Sequence, residues 1–203
     1  MKNLLLTLVL FVGALTGNAQ DATFGIKGGL NYAFINGEDI LNVEPKFSYH
    51  AGAIVNISFT DFVALQPEFI FSVKGYDGDM VDLDLNYVDL PILLKVKLGD
   101  VFSLHAGPQF SYLLSSSVKT DLTVSNIEEQ IESFDLGVAT GFEYELVSGF
   151  SLGARYSFSV ESIGKDYDQE NVNPNDPTKT IIENIDAPDY RNGLVQIFAA
   201  FTF

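Results

Sequence analysis

Two histidines, His50 and His105, are the side chains in this sequence best suited to proton transfer near neutral pH. Ser48 stands just before the first, and Ser103 and Ser111 flank the second. A serine hydroxyl activated by an imidazole would serve a hydrolase or an acyltransferase. No strand-to-helix nucleophile elbow and no acid partner at suggestive spacing accompanies them. A hydrogen-bonded histidine in a polar core is therefore the better reading of each.

Carboxylates at alternate positions are the second chemical signal. Asp77-Gly78-Asp79 with Asp82 and Asp84, and separately Asp166, Asp168 and Glu170, are spaced as in calcium-binding loops. The second run lacks a glycine at its sixth position and has Pro177 where a bidentate glutamate belongs. Solvated acidic loops account for both runs better than a metal site does. Gly28-Gly29 falls inside a strand pattern, where glycine serves close packing or sharp curvature rather than phosphate binding. The residues thus point to no enzyme, no cofactor and no metal centre.

The elements that position these residues are strands. From 24 to 34 the even positions read Phe24, Ile26, Gly28, Leu30, Tyr32 and Phe34, against Lys27 and Asn31 between them, which is period two with unlike faces. The pattern recurs at 47–59, 62–75, 85–98, 102–114, 134–146, 150–160 and 192–203. Each of the eight segments reaches the roughly 9 to 11 residues that a tilted strand needs to cross a bilayer. Thr60-Asp61, Gly99-Asp100 and Val147-Ser148-Gly149 read as tight turns, while the links at 35–46, 76–84, 115–133 and 161–190 are long. Short and long connections alternate, as periplasmic turns and extracellular loops do in outer-membrane barrels. In the third long link, Ser125 and Glu128 have the spacing of a capping box for a helical turn, and a polar excursion without structure fits equally well.

The fold class expected is an all-β, eight-stranded, antiparallel up-and-down closed transmembrane β-barrel. It is preceded by a cleavable leader: Lys2, an apolar run from 4 to 15 and small residues at 17 and 19 make 1–19 a signal peptide, with cleavage after Ala19. Residues 20–203 then form one barrel domain. There is no cysteine, hence no disulfide and no thiol for a lipid anchor. A formal net charge of -16 excludes nucleic acid as a partner, since phosphate binding needs a basic patch.

Alternation alone does not say whether the apolar face meets lipid or lines a ligand cavity, so a periplasmic lipocalin-like carrier is the rival. The cations favour lipid. Lys27, Lys74, Lys95, Lys97 and Arg155 all fall on polar strand faces, and Arg191 falls at a strand end where a long side chain reaches the headgroups. Glu68, Asp89, Asp135, Glu143 and Glu145 oppose them. An eight-stranded barrel is just wide enough to be filled by side chains. Lys27, Glu68, Lys74, Asp89, Lys95, Lys97, His105, Asp135, Glu143 and Arg155 are accordingly read as a salt-bridged polar interior in place of a pore. Phe24, Phe59, Phe62, Phe102, Phe150 and Phe203 would form a girdle at the turn side, and Tyr32, Tyr49, Tyr87, Tyr112 and Tyr190 one at the loop side. Pro67, Pro91 and Pro108 cannot donate to a ladder, and predict bulges or gaps.

Six segments together resemble the PorT-like family of outer-membrane β-barrel proteins of Bacteroidota: FGIKGGLNYA at Phe24, YVDLPILLKVKLG at Tyr87, AGPQFSYLLSS at Ala106, FDLGVATGFEYEL at Phe134, RYSFSV at Arg155 and the terminal Phe203. The resemblance spans essentially the whole mature chain. It implies the barrel fold, outer-membrane lipid as surroundings, and Phe203 as the signal read by the barrel assembly machinery. The family's named member takes part in a secretion system, and no catalytic motif carries over. The long acidic loops remain the surface on which an extracellular partner would bind.

Overall fold

Leu30 lies opposite Ile197 on the neighbouring strand, and Asn31 lies opposite Gln196. Successive side chains point to opposite faces of a sheet, so these two adjacent pairs report the two faces. Leu30 and Ile197 are 67% and 66% exposed, whereas Asn31 and Gln196 are 1% and 3% exposed. The apolar face is therefore the outer one. A soluble carrier would do the reverse, so the lipocalin-like alternative is set aside.

The computed structural model describes residues 21–37, 43–78, 81–120, 124–126, 131–172, 180–186 and 189–203. The expected leader, 1–19, lies outside them. Eight long strands, β1 (Asp21–Asn36), β2 (Val43–Ser58), β3 (Val63–Gly78), β4 (Val81–Leu98), β5 (Phe102–Thr120), β7 (Phe134–Val147), β8 (Phe150–Ser159) and β11 (Arg191–Thr202), pair in that order. Every pairing is antiparallel, and β1 closes onto β11. Closure removes the free edges that an open sheet would expose in lipid.

Among the described residues there are three shorter strands besides. β6 (Val124–Asn126) extends the edge of β5, and β9 (Tyr167–Val172) and β10 (Thr180–Ile185) form a separate hairpin. Ser125 thus sits in a strand and not at a helix cap, while Glu128 lies outside the described residues. The link expected at 76–84 is also largely strand, since Tyr76 pairs with Leu83 and Gly75 with Asp84.

Strands of 16 to 19 residues (β1 to β5) outrun the bilayer. At ~3.3 Å per residue and a tilt of ~40°, sixteen residues rise about 40 Å, against an apolar band of about 25 Å. The surplus stands at the end away from the tight turns, so β2 to β5 project above the membrane.

Pro67, Pro91 and Pro108 lie where the ladder opens without losing register. Glu68 and Phe69 opposite Leu90 and Pro91 are skipped, as are Ile92 and Leu93 opposite Gly107 and Pro108. Register shifts occur elsewhere, between Pro45 and His50, Asn86 and Tyr87, and Glu145 and Val147. Two tyrosines expected in the loop-side girdle are not there. Tyr87 shares the parity of Asp89 and is fully buried, and Tyr190 packs against an interior apolar cluster. Tyr32, Tyr49 and Tyr112 do face outward, as do Phe24, Phe59, Phe62 and Phe203.

Candidate functional site

Inward-facing positions of all eight long strands converge on the lumen, and what fills it decides what the barrel can do. The lower half is an ionic layer. Arg155 on β8 donates from Nη1 to Glu68 Oε2 and from Nη2 to Glu68 Oε1, both at 2.7 Å. Lys27 on β1 reaches Glu68 Oε1 at 3.1 Å, and Gln66 Nε2 donates to the same oxygen at 2.6 Å. A second carboxylate, Glu143 on β7, pairs with Lys95 and accepts from Gln66 at 3.4 Å. Glu68, Arg155 and Lys27 are buried, so each charge depends on its partners rather than on water.

Phe198 stands in the middle of these charges. The Lys27 ammonium lies 3.5 Å from its ring centroid and the Arg155 guanidinium 5.5 Å, both cation-π contacts. Space for the ring comes from Gly153: a methyl group there would sit 2.4 Å from Phe198 Cζ. Sequence reasoning missed Phe198 because it looked for polar residues on this face. Its parity with Asn192 and Gln196 was the available signal.

His105 is held by this layer and His50 by neutral amides beside it. His105 Nε2 accepts from Arg155 Nε at 3.2 Å, which leaves its proton on Nδ1, 3.7 Å from Glu143 Oε1. His50 Nδ1 lies 2.7 Å from Asn31 Oδ1, which also accepts from Gln196 at 3.1 Å. Ser48 donates to the Val73 carbonyl at 2.6 Å, and Ser111 accepts from Lys74 at 3.2 Å. Among the described residues no serine is hydrogen-bonded to a histidine. Gly149-Phe150-Ser151-Leu152-Gly153 has the spacing of a nucleophile elbow, a pattern the sequence reading passed over. Ser151 lies within strand β8, paired with Ala200 and Glu145, not on a strand-to-helix turn.

Above lies a second polar layer. Lys74 pairs with Asp89 at 3.0 Å and stands 4.4 Å above the Tyr87 ring. Asp135 Oδ2 accepts from Ser159 at 2.9 Å and from Asn192 at 3.0 Å. No cation pairs with Asp135 among the described residues, unlike the other carboxylates expected in the network. Lys97 continues the inward parity of Lys95 but emerges at the turn end, where it is exposed.

At the loop end the lumen turns apolar. Ile35, Leu83, Leu85, Tyr87 and Leu113 from the strands meet Ile131 and Ile163 from the third and fourth links, with Tyr76, Val118 and Tyr190 against them. Backbone bonds tie those links down: Glu132 N to Ile163 O at 2.8 Å, Ile163 N to Tyr190 O at 2.7 Å and Leu113 N to Ser133 O at 2.8 Å. The lumen is thus stopped by apolar side chains above and by ion pairs below.

The projecting rim engages the first acidic run. Lys46 pairs with Asp77 and Asp84, and Lys119 also pairs with Asp84. Asp82 accepts from the Gly78 amide at 3.2 Å. Burial raises the Asp84 carboxyl, but hydrogen bonds from Lys119 and Lys46 outweigh it and hold the carboxyl below its usual range. Three of the four carboxylates spaced like calcium ligands, Asp77, Asp82 and Asp84, are therefore already occupied. Asp79, and the side chains of Asp168 and Glu170 in the second run, lie outside the described residues.

The family model described as outer membrane protein beta-barrel domain matches residues 18–164. Among solved structures, Neisserial surface protein A is similar at 14% identity and a TM-score of 0.58, over 91% of this chain and 100% of that one. Ail, the attachment invasion locus protein of Yersinia pestis, is similar at 11% identity and a TM-score of 0.54, over the same shares. A search of curated proteins returns no match.

Proposed function

We propose that this chain, which belongs to the outer membrane protein beta-barrel domain family, is a non-conducting, non-enzymatic membrane anchor that holds acidic loops outside the cell for a binding partner. Fold and family make the outer membrane its location and membrane lipid its surroundings. One observation carries the reading. The lumen is crossed by the Arg155, Glu68 and Lys27 pairs and stopped above them by the Leu85, Ile131 and Ile163 cluster. Rigid walls and a filled interior leave the loops as the surface free to act.

Most acidic residues outside the lumen fall in the long links, so the partner that fits is cationic or polar and uncharged, not a polyanion. The leader at 1–19 would take the chain across the inner membrane. Phe203, exposed and with its amide bonded to the Phe24 carbonyl at 2.8 Å, would then present the assembly signal to the barrel assembly machinery. Kinship with the PorT-like proteins of Bacteroidota would make a secretion complex one setting for such a scaffold.

Planar-bilayer recording of the purified barrel tests the reading. A silent membrane at protein levels that insert barrels is the expected result. Regular conductance steps would replace the anchor with a narrow pore.

A further inference from the structure

Between the ionic layer and the apolar stopper the strands leave a small polar chamber. Lys74, Gln109, Ser111, Asp135, Ser157 and Asn192 are among its lining residues, and it has room for about one water molecule. Asp135 Oδ1 and Asn192 Oδ1 are buried and accept no hydrogen bond from the protein, although their partner atoms Oδ2 and Nδ2 bond to each other at 3.0 Å. Each of these acceptors needs a donor, because an unmet buried acceptor costs about 1–3 kcal/mol and more when charged.

The Tyr87 hydroxyl nearby is likewise buried without a partner and bonds neither acceptor, which leaves three species to meet that need: a water, a small monovalent cation, or a proton on Asp135. The charges choose among them. Lys27, Lys74, Lys95 and Arg155 stand against Glu68, Asp89, Asp135 and Glu143 in the lumen, four of each sign. With both histidines neutral, an added cation or a protonated Asp135 would leave one uncompensated positive charge in a low-dielectric interior. Lys74 also lines the chamber, and its ammonium repels a second cation while donating readily to a water oxygen.

We propose that this chamber binds a single structural water, which donates to Asp135 Oδ1 and Asn192 Oδ1 and accepts from Lys74 or Ser111. The water would link Asp135 and Asn192 to Lys74 or Ser111 in the upper polar layer, as the Arg155 and Glu68 pair links strands below.

Crystals of the mature barrel in detergent, grown with rubidium in place of sodium, test the assignment. The expected density is one peak within about 3.2 Å of both Asp135 Oδ1 and Asn192 Oδ1, without anomalous signal at the rubidium edge. An anomalous peak there would make the site a cation site. A direct oxygen-to-oxygen contact of about 2.6 Å between Asp135 and Asn192 would show a protonated carboxyl. Either of these results would overturn the proposal.

Discussion

Arg155 and Glu68, 87 residues apart in the chain, meet as a buried bidentate pair with both hydrogen bonds at 2.7 Å. The pair links β8 to β3 across the lumen, with Lys27 on β1 as a third member. Removing one side of such a pair leaves charge that nothing else can solvate. Glu68→Gln keeps the shape and removes the charge, stranding Arg155 and Lys27 together. Urea unfolding of the barrel in lipid vesicles should show a loss of about 3–5 kcal/mol. A loss below about 1 kcal/mol would mean that water reaches the layer.

Phe198 and Gly153 make a size-matched pair, and errors on its two sides should both cost stability. Phe198→Ala empties the ring's volume and exposes Lys27 and Arg155 to a void, for an expected loss of about 3–5 kcal/mol. Gly153→Ala pushes a methyl group into the ring and the Phe142 carbonyl, for an expected loss of about 1–3 kcal/mol. Recovery of Gly153→Ala by a second change, Phe198→Leu, would show that the two act through one space. Additive losses would contradict that.

Ile163 is 1% exposed although it belongs to a link rather than to a long strand. Ile163→Ser should release the third and fourth links while leaving the membrane-embedded walls intact. The readout is faster proteolysis within 115–133 and 161–190, at unchanged heat resistance of the barrel. Unchanged proteolysis would mean that the stopper does not depend on this side chain.

At the rim, the lowered Asp84 carboxyl and the raised Lys46 ammonium bracket a window of pH. Lys46 is raised because hydrogen bonds to Asp77 and Asp84 outweigh the lowering effect of burial. A carboxyl lower in the folded state stabilises above its ordinary value and loses that contribution as pH falls through the lowered one. A lysine raised in the folded state stabilises below its ordinary value and loses that contribution as pH rises through the raised one. Amide exchange at 76–78 and 81–84 should therefore be protected evenly from about pH 5 to about pH 9 once corrected for intrinsic rate, and rise only outside it. A step inside the window would point to another titrating group.

Period-two alternation and the alternating link lengths made the barrel legible in the sequence, because lipid outside and charge inside impose opposite demands on adjacent residues. The ends of the strands were less legible. Tyr76 and Leu83 read as a link because polar neighbours break the alternation, yet backbone pairing continues there above the membrane. Tyr87 was placed by residue type, as an interfacial aromatic, when its parity with Asp89 put it inside. The polar interior could be named from parity, but which cation meets which carboxylate depends on register between distant strands. Asp135 shows the limit: its parity matches the paired carboxylates, yet its partners are Ser159 and Asn192.

The central claim is a closed barrel with its apolar face toward lipid and its charges within. Heat-modifiability tests it most directly: the mature chain in detergent is run on an SDS gel with and without boiling. The account predicts faster migration before boiling and a shift to the position of the unfolded chain after it, since a closed ladder resists SDS until heated. A chain that stays soluble without detergent and migrates identically in both lanes would contradict it.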